Sequence, residues 1–432
     1  MRIQRGITGV VLLSAIVAGC ANIDARDDAR GFGVSGQRLK QLSAQISAEA
    51  QSGAIPGAVI LVARNGKIVY TDAIGLQNPS SGVPMKPDSI FRLASMTKPI
   101  VSVAAMMLVE EGKLSLDDPI SKYLPELKGL KVGVEKKDAA GNAVLEEVAA
   151  VREMTVQDLL RHTSGFTYGI FGKSLVKQRY RDTKMEGDRN QTNAEHVGRL
   201  AKLPLAYQPG TTWEYSRSTD VLGAVIERVT GQTLDVFLSE RILKPLSMKD
   251  TGFSVDPAKH GRIAEPFAVD PDTKAPVLLP DVRTPPRFLC GGACMVSTAT
   301  DYYRFLQMLL NGGELDGVRM LSRKSVELMT SDHLGTRITD GPGPGYGFGL
   351  GFAVRIMPGE ASTLGSVGDY GWAGLYGTTF FVDPKERLIG ILLMQRPNYR
   401  KYSRQFRTGV YSALDIANVR YCTCTAQCIA GL

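Results

Sequence analysis

Strand signals lie at the two ends of this chain and are sparse between them, and that distribution constrains the fold more than any single motif. Near the start, "PGAVILVARNGKIVYTDAIG" (residues 56–75) holds two β-rich runs around Asn65-Gly66, the strongest short hairpin signal. Strand signals return only late, in "GYGFGLGFAVRIM", "GTTFFVDP" and "ERLIGILLMQ". Helical periodicity flanks both groups: Leu39, Leu42 and Ile46 with a stop at Gly53, and a last helix from roughly Arg400 to Ile416. An early hairpin that pairs with late strands makes one antiparallel sheet, with the two terminal helices covering a face. The middle third then reads as a mostly helical insertion, and the fold class is α+β. Within it, "TVQDLLRHTSG" is a helix from Thr155 to a stop at Gly165. "STDVLGAVIERVTGQTLDVFLSERILKPLSM" gives two amphipathic helices separated at Gly231. Residues 129–153, charged and alanine-rich without clear period, read as a surface excursion.

The first twenty residues differ from the rest. "MRIQRG" supplies two arginines, "ITGVVLLSAIVA" a short apolar stretch, and "VAGC" a small-residue site ending in Cys20. This is a secretory signal, too short for a spanning helix of about 20 apolar residues. Small residues directly before a cysteine resemble the bacterial lipoprotein signal, which predicts a lipidated Cys20 and a periplasmic protein held to the membrane by that anchor. The expected organisation is a signal segment at 1–20, a linker at 21–35, an α/β part made of 36–115 and 291–420, a helical part at 116–290, and a cysteine-bearing tail at 421–432.

Export permits disulfides, but the five remaining cysteines (Cys290, Cys294, Cys422, Cys424, Cys428) are odd in number, and their pairing is not legible. The four histidines are scattered and form no metal-binding pair, so no metal site is expected. A net charge of +8 without any arginine- or lysine-rich run reads as a soluble basic surface rather than a nucleic-acid binder. Oligomeric state is not legible.

The chemistry concentrates in "FRLASMTKPIVSVAAMMLVEEG" (residues 91–112), where Ser95 and Lys98 stand one helical turn apart. The same spacing recurs at Ser174 and Lys177, so context must separate the two pairs. Pro99 lacks an N–H and is tolerated only in a first turn, so its helix begins close to Ser95. Ser95 then sits at the positive end of the helix dipole. The run from Pro99 to Val109 is apolar around most of its circumference, which carries Lys98 into an enclosed region. A buried lysine is costly unless paired or neutral, and a neutral amine is the proton acceptor that a serine nucleophile needs. Ser174–Lys177 lies in a polar, charged stretch with none of these features.

"SMTKPI", "LLRHTSGFTYG", "PGTTWEYSRSTDVLGAVIERVTGQTL", "RILKPLSMKDTGF", "MVSTATDYYRFLQMLLNGGELDGVRML" and "GWAGLYGTTFFVDP" follow one another in the order and spacing of the serine β-lactamase and penicillin-binding superfamily. The resemblance spans about residues 36–410 and is closest to the class-C-like carboxylesterases called family VIII. It implies a β-lactamase-like fold, Ser95 as nucleophile, Lys98 as base or proton shuttle, and Tyr215 of "WEYSRS" as their partner. Class C β-lactamases usually carry asparagine two residues after that tyrosine; this chain has Arg217. Where the superfamily has Lys-Thr-Gly, this chain has Trp372-Ala373-Gly374, as family VIII esterases have tryptophan there. A cationic lysine suits the carboxylate of a penicillin or a D-alanyl terminus, whereas tryptophan offers an apolar face and one uncharged donor. The substitution predicts a preference for neutral ester substrates. Gly374 leaves the backbone open, so the amides of Leu375 and Ser95 are the expected oxyanion hole.

The expected function is therefore an exported serine carboxylesterase that needs no metal or organic cofactor and acts on a small ester, with loops 165–192 and 331–347 setting acyl specificity. The rivals are a β-lactamase or D-amino-acid-specific peptidase on the same fold, and a non-catalytic envelope protein that binds a peptidoglycan-like ligand. The latter would have lost the serine, lysine or tyrosine. His162, in "LLRHTSG", reads as fixing a helix end rather than as a base, and Ser164 and Ser216 as turn or cap residues. No Gly-x-Ser-x-Gly elbow occurs; "GFTYG" has threonine at its centre.

Overall fold

The computed structural model describes residues 31–338, 340–397 and 400–414. The signal segment with Cys20 and the tail with Cys422, Cys424 and Cys428 lie outside these residues. An eight-stranded antiparallel sheet is built from β1 (Gly57–Arg64), β2 (Lys67–Asn78), β3 (Val83–Pro84), β4 (Tyr346–Phe348), β5 (Ala353–Arg355), β6 (Tyr370–Gly374), β7 (Thr378–Asp383) and β8 (Leu388–Met394). Its spatial order is β4-β5-β6-β7-β8-β1-β2-β3, so the early hairpin joins the late strands at the β8–β1 seam. There Ala58 faces Met394 and Arg64 faces Leu388.

"GAVILVAR" and "LIGILLM" read as unbroken apolar runs because this part of the sheet is covered on both faces. Along β1 the period of two divides the side chains cleanly. Ala58, Ile60 and Val62 pack against Leu39, Leu42 and Ile46 of α1 (Gly36–Gln51) and Phe406 and Val410 of the last helix, Arg400–Ser412. Val59, Leu61 and Ala63 point the other way, into the main core. That core also takes in α2 (Thr97–Glu110), α3 (Ser218–Thr230) and α4 (Ala299–Leu310).

Two expectations need correction. Residues 129–153 contain an antiparallel ribbon, Lys131–Lys137 against Ala143–Ala149, turned at Asp138, which accepts from the amides of Ala140 and Asn142. Its outward face is charged and only one side touches the body, with Leu145 and Val176 close to Gly133, so no strong period marks the sequence. The helix from Thr155 is also shorter than expected. It spans Val156–Leu160 and ends at His162, whose φ of +59° cannot continue a helix.

Candidate active site

Ser95 lies in a 3-10 turn, Ala94–Met96, that leads directly into α2, with Pro99 in the first turn as its missing N–H requires. The turn is fastened from several sides. Ala94 holds a left-handed φ of +47°. Leu93 N–H donates to the Met295 carbonyl at 2.9 Å, Thr378 Oγ1 donates to the Leu93 carbonyl at 2.8 Å, and Tyr302 donates to the Met96 carbonyl at 2.8 Å. A strained residue held by such bonds is what keeps a nucleophile aimed.

Lys98 is buried, 1% exposed, as the apolar run requires. Its Nζ donates to Ser95 Oγ at 3.2 Å, to the Tyr168 hydroxyl at 3.2 Å and to the Gly292 carbonyl at 2.8 Å. None of these partners is a carboxylate. Lys98 Nζ also lies 4.5 Å from the centroid of the Tyr215 ring. The Tyr215 hydroxyl meets the Ser95 side chain and accepts from Trp372 Nε1 at 3.3 Å. Burial pushes the Tyr215 phenol well above its ordinary pKa, with the Ser95 and Trp372 hydrogen bonds opposing that shift. Tyr215 therefore rests as a protonated phenol at neutral pH. Ser95, Lys98 and Tyr215, from positions up to 120 apart in the chain, share one crevice.

Trp372 sits on β6 opposite Phe380 of β7. Its ring packs against Tyr215 at 5.3 Å and Phe348 at 5.2 Å, and Leu334, Ile338 and Trp213 complete an apolar wall. The indole N–H is thus committed to Tyr215. Ala373 is half-buried and Gly374 is buried against the Ser95 turn; a Cβ on Gly374 would collide with the Leu93 carbonyl and lie 3.2 Å from the Ala94 Cβ. Leu375 follows and is 45% exposed. From the loop after Gly165, Ile170 and Phe171 are exposed, and Phe171 packs on Tyr168 and Tyr215.

The rival pair does structural work. Ser174 caps the helix Leu175–Asp182 by accepting from Lys177 N, and Lys177 Nζ pairs with Glu214 at 2.9 Å. His162 is buried beneath Tyr215, ring centroids 4.9 Å apart, with Nδ1 3.2 Å from Ser216 Oγ. Burial and the Lys98 charge hold its pKa well below the ordinary histidine value, so it is a neutral support for the tyrosine. Ser164 and Ser216 both bond to Ser218 at 2.7 Å. Arg217 is buried in ion pairs with Asp220 and Glu186.

Sequence reasoning missed Tyr168 and Gly292, two of the three partners of Lys98. Tyr168 stands in "GFTYG", which draws attention only as a failed serine elbow, and a backbone carbonyl carries no sequence signal.

A family model described as Beta-lactamase matches residues 39–409. A Mycobacterium tuberculosis protein, Rv1367c, is 39% identical over 367 residues, covering 82% of this chain and 88% of that protein. Esterase EstB of Burkholderia gladioli is 34% identical over 363 residues, covering 79% of this chain and 86% of that protein. Among solved structures, EstCE1, a hydrolase with promiscuous acyltransferase activity, aligns with a TM-score of 0.70 at 27% identity, covering 87% of this chain and 99% of that one.

Proposed function

The chain belongs to the beta-lactamase family and has the fold of its serine hydrolases, and from that premise we propose that it is an exported carboxylesterase working through an acyl-enzyme on Ser95. The observation that carries this reading is the contact of Lys98 Nζ with Ser95 Oγ at 3.2 Å, beside a Tyr215 hydroxyl that stays protonated. Ser95 Oγ attacks the ester carbonyl carbon while its proton passes to Lys98, which acts as an amine. The carbonyl oxygen becomes anionic between the amides of Ser95 and Leu375. As the carbon–oxygen bond to the alcohol breaks, Tyr215 gives its proton to the departing alkoxide and is reprotonated by Lys98. Water then enters and its oxygen bonds to the acyl carbon as it gives a proton to the same pair; the carbon–Oγ bond breaks, the acid leaves, and the pair returns that proton to Ser95. Every proton taken up in acylation is returned, and the pair ends as it began.

Selection for neutral esters follows from Trp372, whose single N–H is spent on Tyr215 and whose ring joins Phe348 and Trp213 in an apolar wall. EstB and a lovastatin esterase among the relatives favour esters over lactams by their names. A disulfide between Cys290 and Cys294 agrees with an oxidising compartment, as export to the periplasm requires. Lipidation of Cys20 would add the membrane anchor, readable as a lipid-modified N-terminal cysteine by mass spectrometry of the mature protein.

Steady-state kinetics on a short-chain nitrophenyl ester beside nitrocefin test the activity, with fluorophosphonate labelling and mass spectrometry to locate the nucleophile. The expected result is label on Ser95, loss of ester hydrolysis in Ser95→Ala, and a clear preference for the ester. Preference for the lactam, or full activity without Ser95, would sink the proposal.

A further inference from the structure

We propose that the disulfide-closed loop 290–294 aims Lys98 at Ser95, with Asp220 and Arg217 as positioning residues that act through it. Of the three oxygens that receive Lys98, two belong to hydroxyl groups. The third and nearest, at 2.8 Å, is the backbone carbonyl of Gly292, and it cannot rotate independently of its loop. A lysine on a flexible four-carbon stem keeps its direction only if such a partner stays still.

Three constraints immobilise that carbonyl. The Gly292 N–H donates to Asp220 Oδ1 at 2.8 Å in the buried interior. The Cys290–Cys294 disulfide closes the loop on either side of Gly291 and Gly292. The loop also lies flush on the first turn of α3. A Cβ at Gly292 would come within 2.8 Å of Asp220 Oδ1, and one at Gly291 would strike the Thr219 carbonyl. Only glycine permits so close an approach.

Asp220 is held in turn by Arg217, NH1 to Oδ2 at 3.3 Å. The other end of Arg217 pairs with Glu186, and its guanidinium lies 4.8 Å from the centroid of the Tyr168 ring. One buried arginine, at the position where class C enzymes usually carry asparagine, thus braces both the carbonyl and the tyrosine that hold Lys98. The charged and titratable groups around Lys98 Nζ are Tyr168, Tyr215 and His162, with Asp220 and Arg217 behind the loop.

This inference rests on the esterase reading, and the test separates the two. In the full chain, Cys290→Ser/Cys294→Ser, Gly292→Ala, Asp220→Ala and Asp220→Asn are compared with wild type and Ser95→Ala. The measurements are kcat and KM on a short-chain nitrophenyl ester from pH 6 to 10, the rate of fluorophosphonate labelling, and thermal unfolding. We expect kcat and labelling rate to fall about 10- to 100-fold with KM little changed, as misplacing a reacting group does. A fall in kcat and labelling rate at nearly constant KM is a split that general loosening of the fold does not produce. Asp220→Asn, which keeps an oxygen for the Gly292 N–H, should recover part of the rate lost in Asp220→Ala. Folded variants with wild-type kcat and labelling rate overturn the inference while an inactive Ser95→Ala leaves the esterase reading intact. An active Ser95→Ala removes that reading first. The loop is perturbed from its disulfide and from Asp220 independently, so one variant's failure to fold leaves the other to decide.

Discussion

Replacing Gly374 by alanine strikes the proposed oxyanion hole where it has least room. The new Cβ would face the Leu93 carbonyl and the Thr378 hydroxyl well inside contact distance, and would lie 3.2 Å from the Ala94 Cβ. The Leu93 carbonyl cannot move aside cheaply, because Thr378 Oγ1 donates to it at 2.8 Å and Leu93 N–H is itself tied to Met295 at 2.9 Å. A carbon–oxygen approach needs about 3.3 Å, so β6 and the Ser95 turn must separate by about 1 Å, a displacement of the size that costs about 100-fold in rate. The Leu375 amide moves with β6, and losing one oxyanion donor costs about 3–4 kcal/mol, or 100- to 1,000-fold in kcat. Overpacking adds about 1–3 kcal/mol of lost stability. The assay is kcat and KM on a short-chain nitrophenyl ester, with thermal unfolding to show that the variant is folded. A large fall in kcat with nearly constant KM is expected, because the amide acts on the transition state rather than on bound ester. A folded Gly374→Ala protein with kcat within about threefold of wild type would refute the assignment of the Leu375 amide.

Trp372→Phe keeps the aromatic wall but deletes the donor to Tyr215. Loss of one neutral hydrogen bond, about 0.5–1.5 kcal/mol, should lower kcat about 2- to 12-fold, and unchanged kcat would show that the indole only packs. Trp372→Lys should raise relative kcat/KM for substrates bearing a carboxylate; no shift in that ratio would remove its role in selectivity. His196 is fully buried with no hydrogen-bond partner for either ring nitrogen among the described residues, and burial lowers its pKa from 6.5 to about 4. Below 6.5 the unfolded chain takes up a proton that the folded chain refuses, so stability is lost as pH falls towards 4. Urea unfolding should show His196→Leu gaining about 1.4 kcal/mol on wild type between pH 7.5 and 5.5; a gap independent of pH would contradict this. Ser174→Ala should cost about 1 kcal/mol as a lost helix cap and leave kcat unchanged, whereas lost activity would give the second serine–lysine pair a role it has no geometry for.

Local rules made much of this protein legible in its sequence. Pro99 and the apolar run after it located the start of α2, and with it Ser95 at the helix N-terminus and Lys98 one turn on, because first-turn chemistry depends on neighbours in the chain. Asn65-Gly66 marked the hairpin of β1 and β2, and the apolar run of "ERLIGILLMQ" marked β8 as a strand. Tyr215 and Trp372 were legible only through resemblance, since nothing in "WEYSRS" or "GWAG" states what either side chain will meet. The tertiary structure alone decided that Tyr168 and the Gly292 carbonyl hold Lys98, that the Trp372 N–H is spent on Tyr215, and that Arg217 braces the loop behind them. The Lys98 and Trp372 contacts join residues 70 to 194 positions apart, and at such separations the distance between two polar atoms is set by how whole elements pack. Periodicity, capping and turn chemistry act over a few residues, so they can deliver a nucleophile and its base on one helix but not the remote groups that orient them.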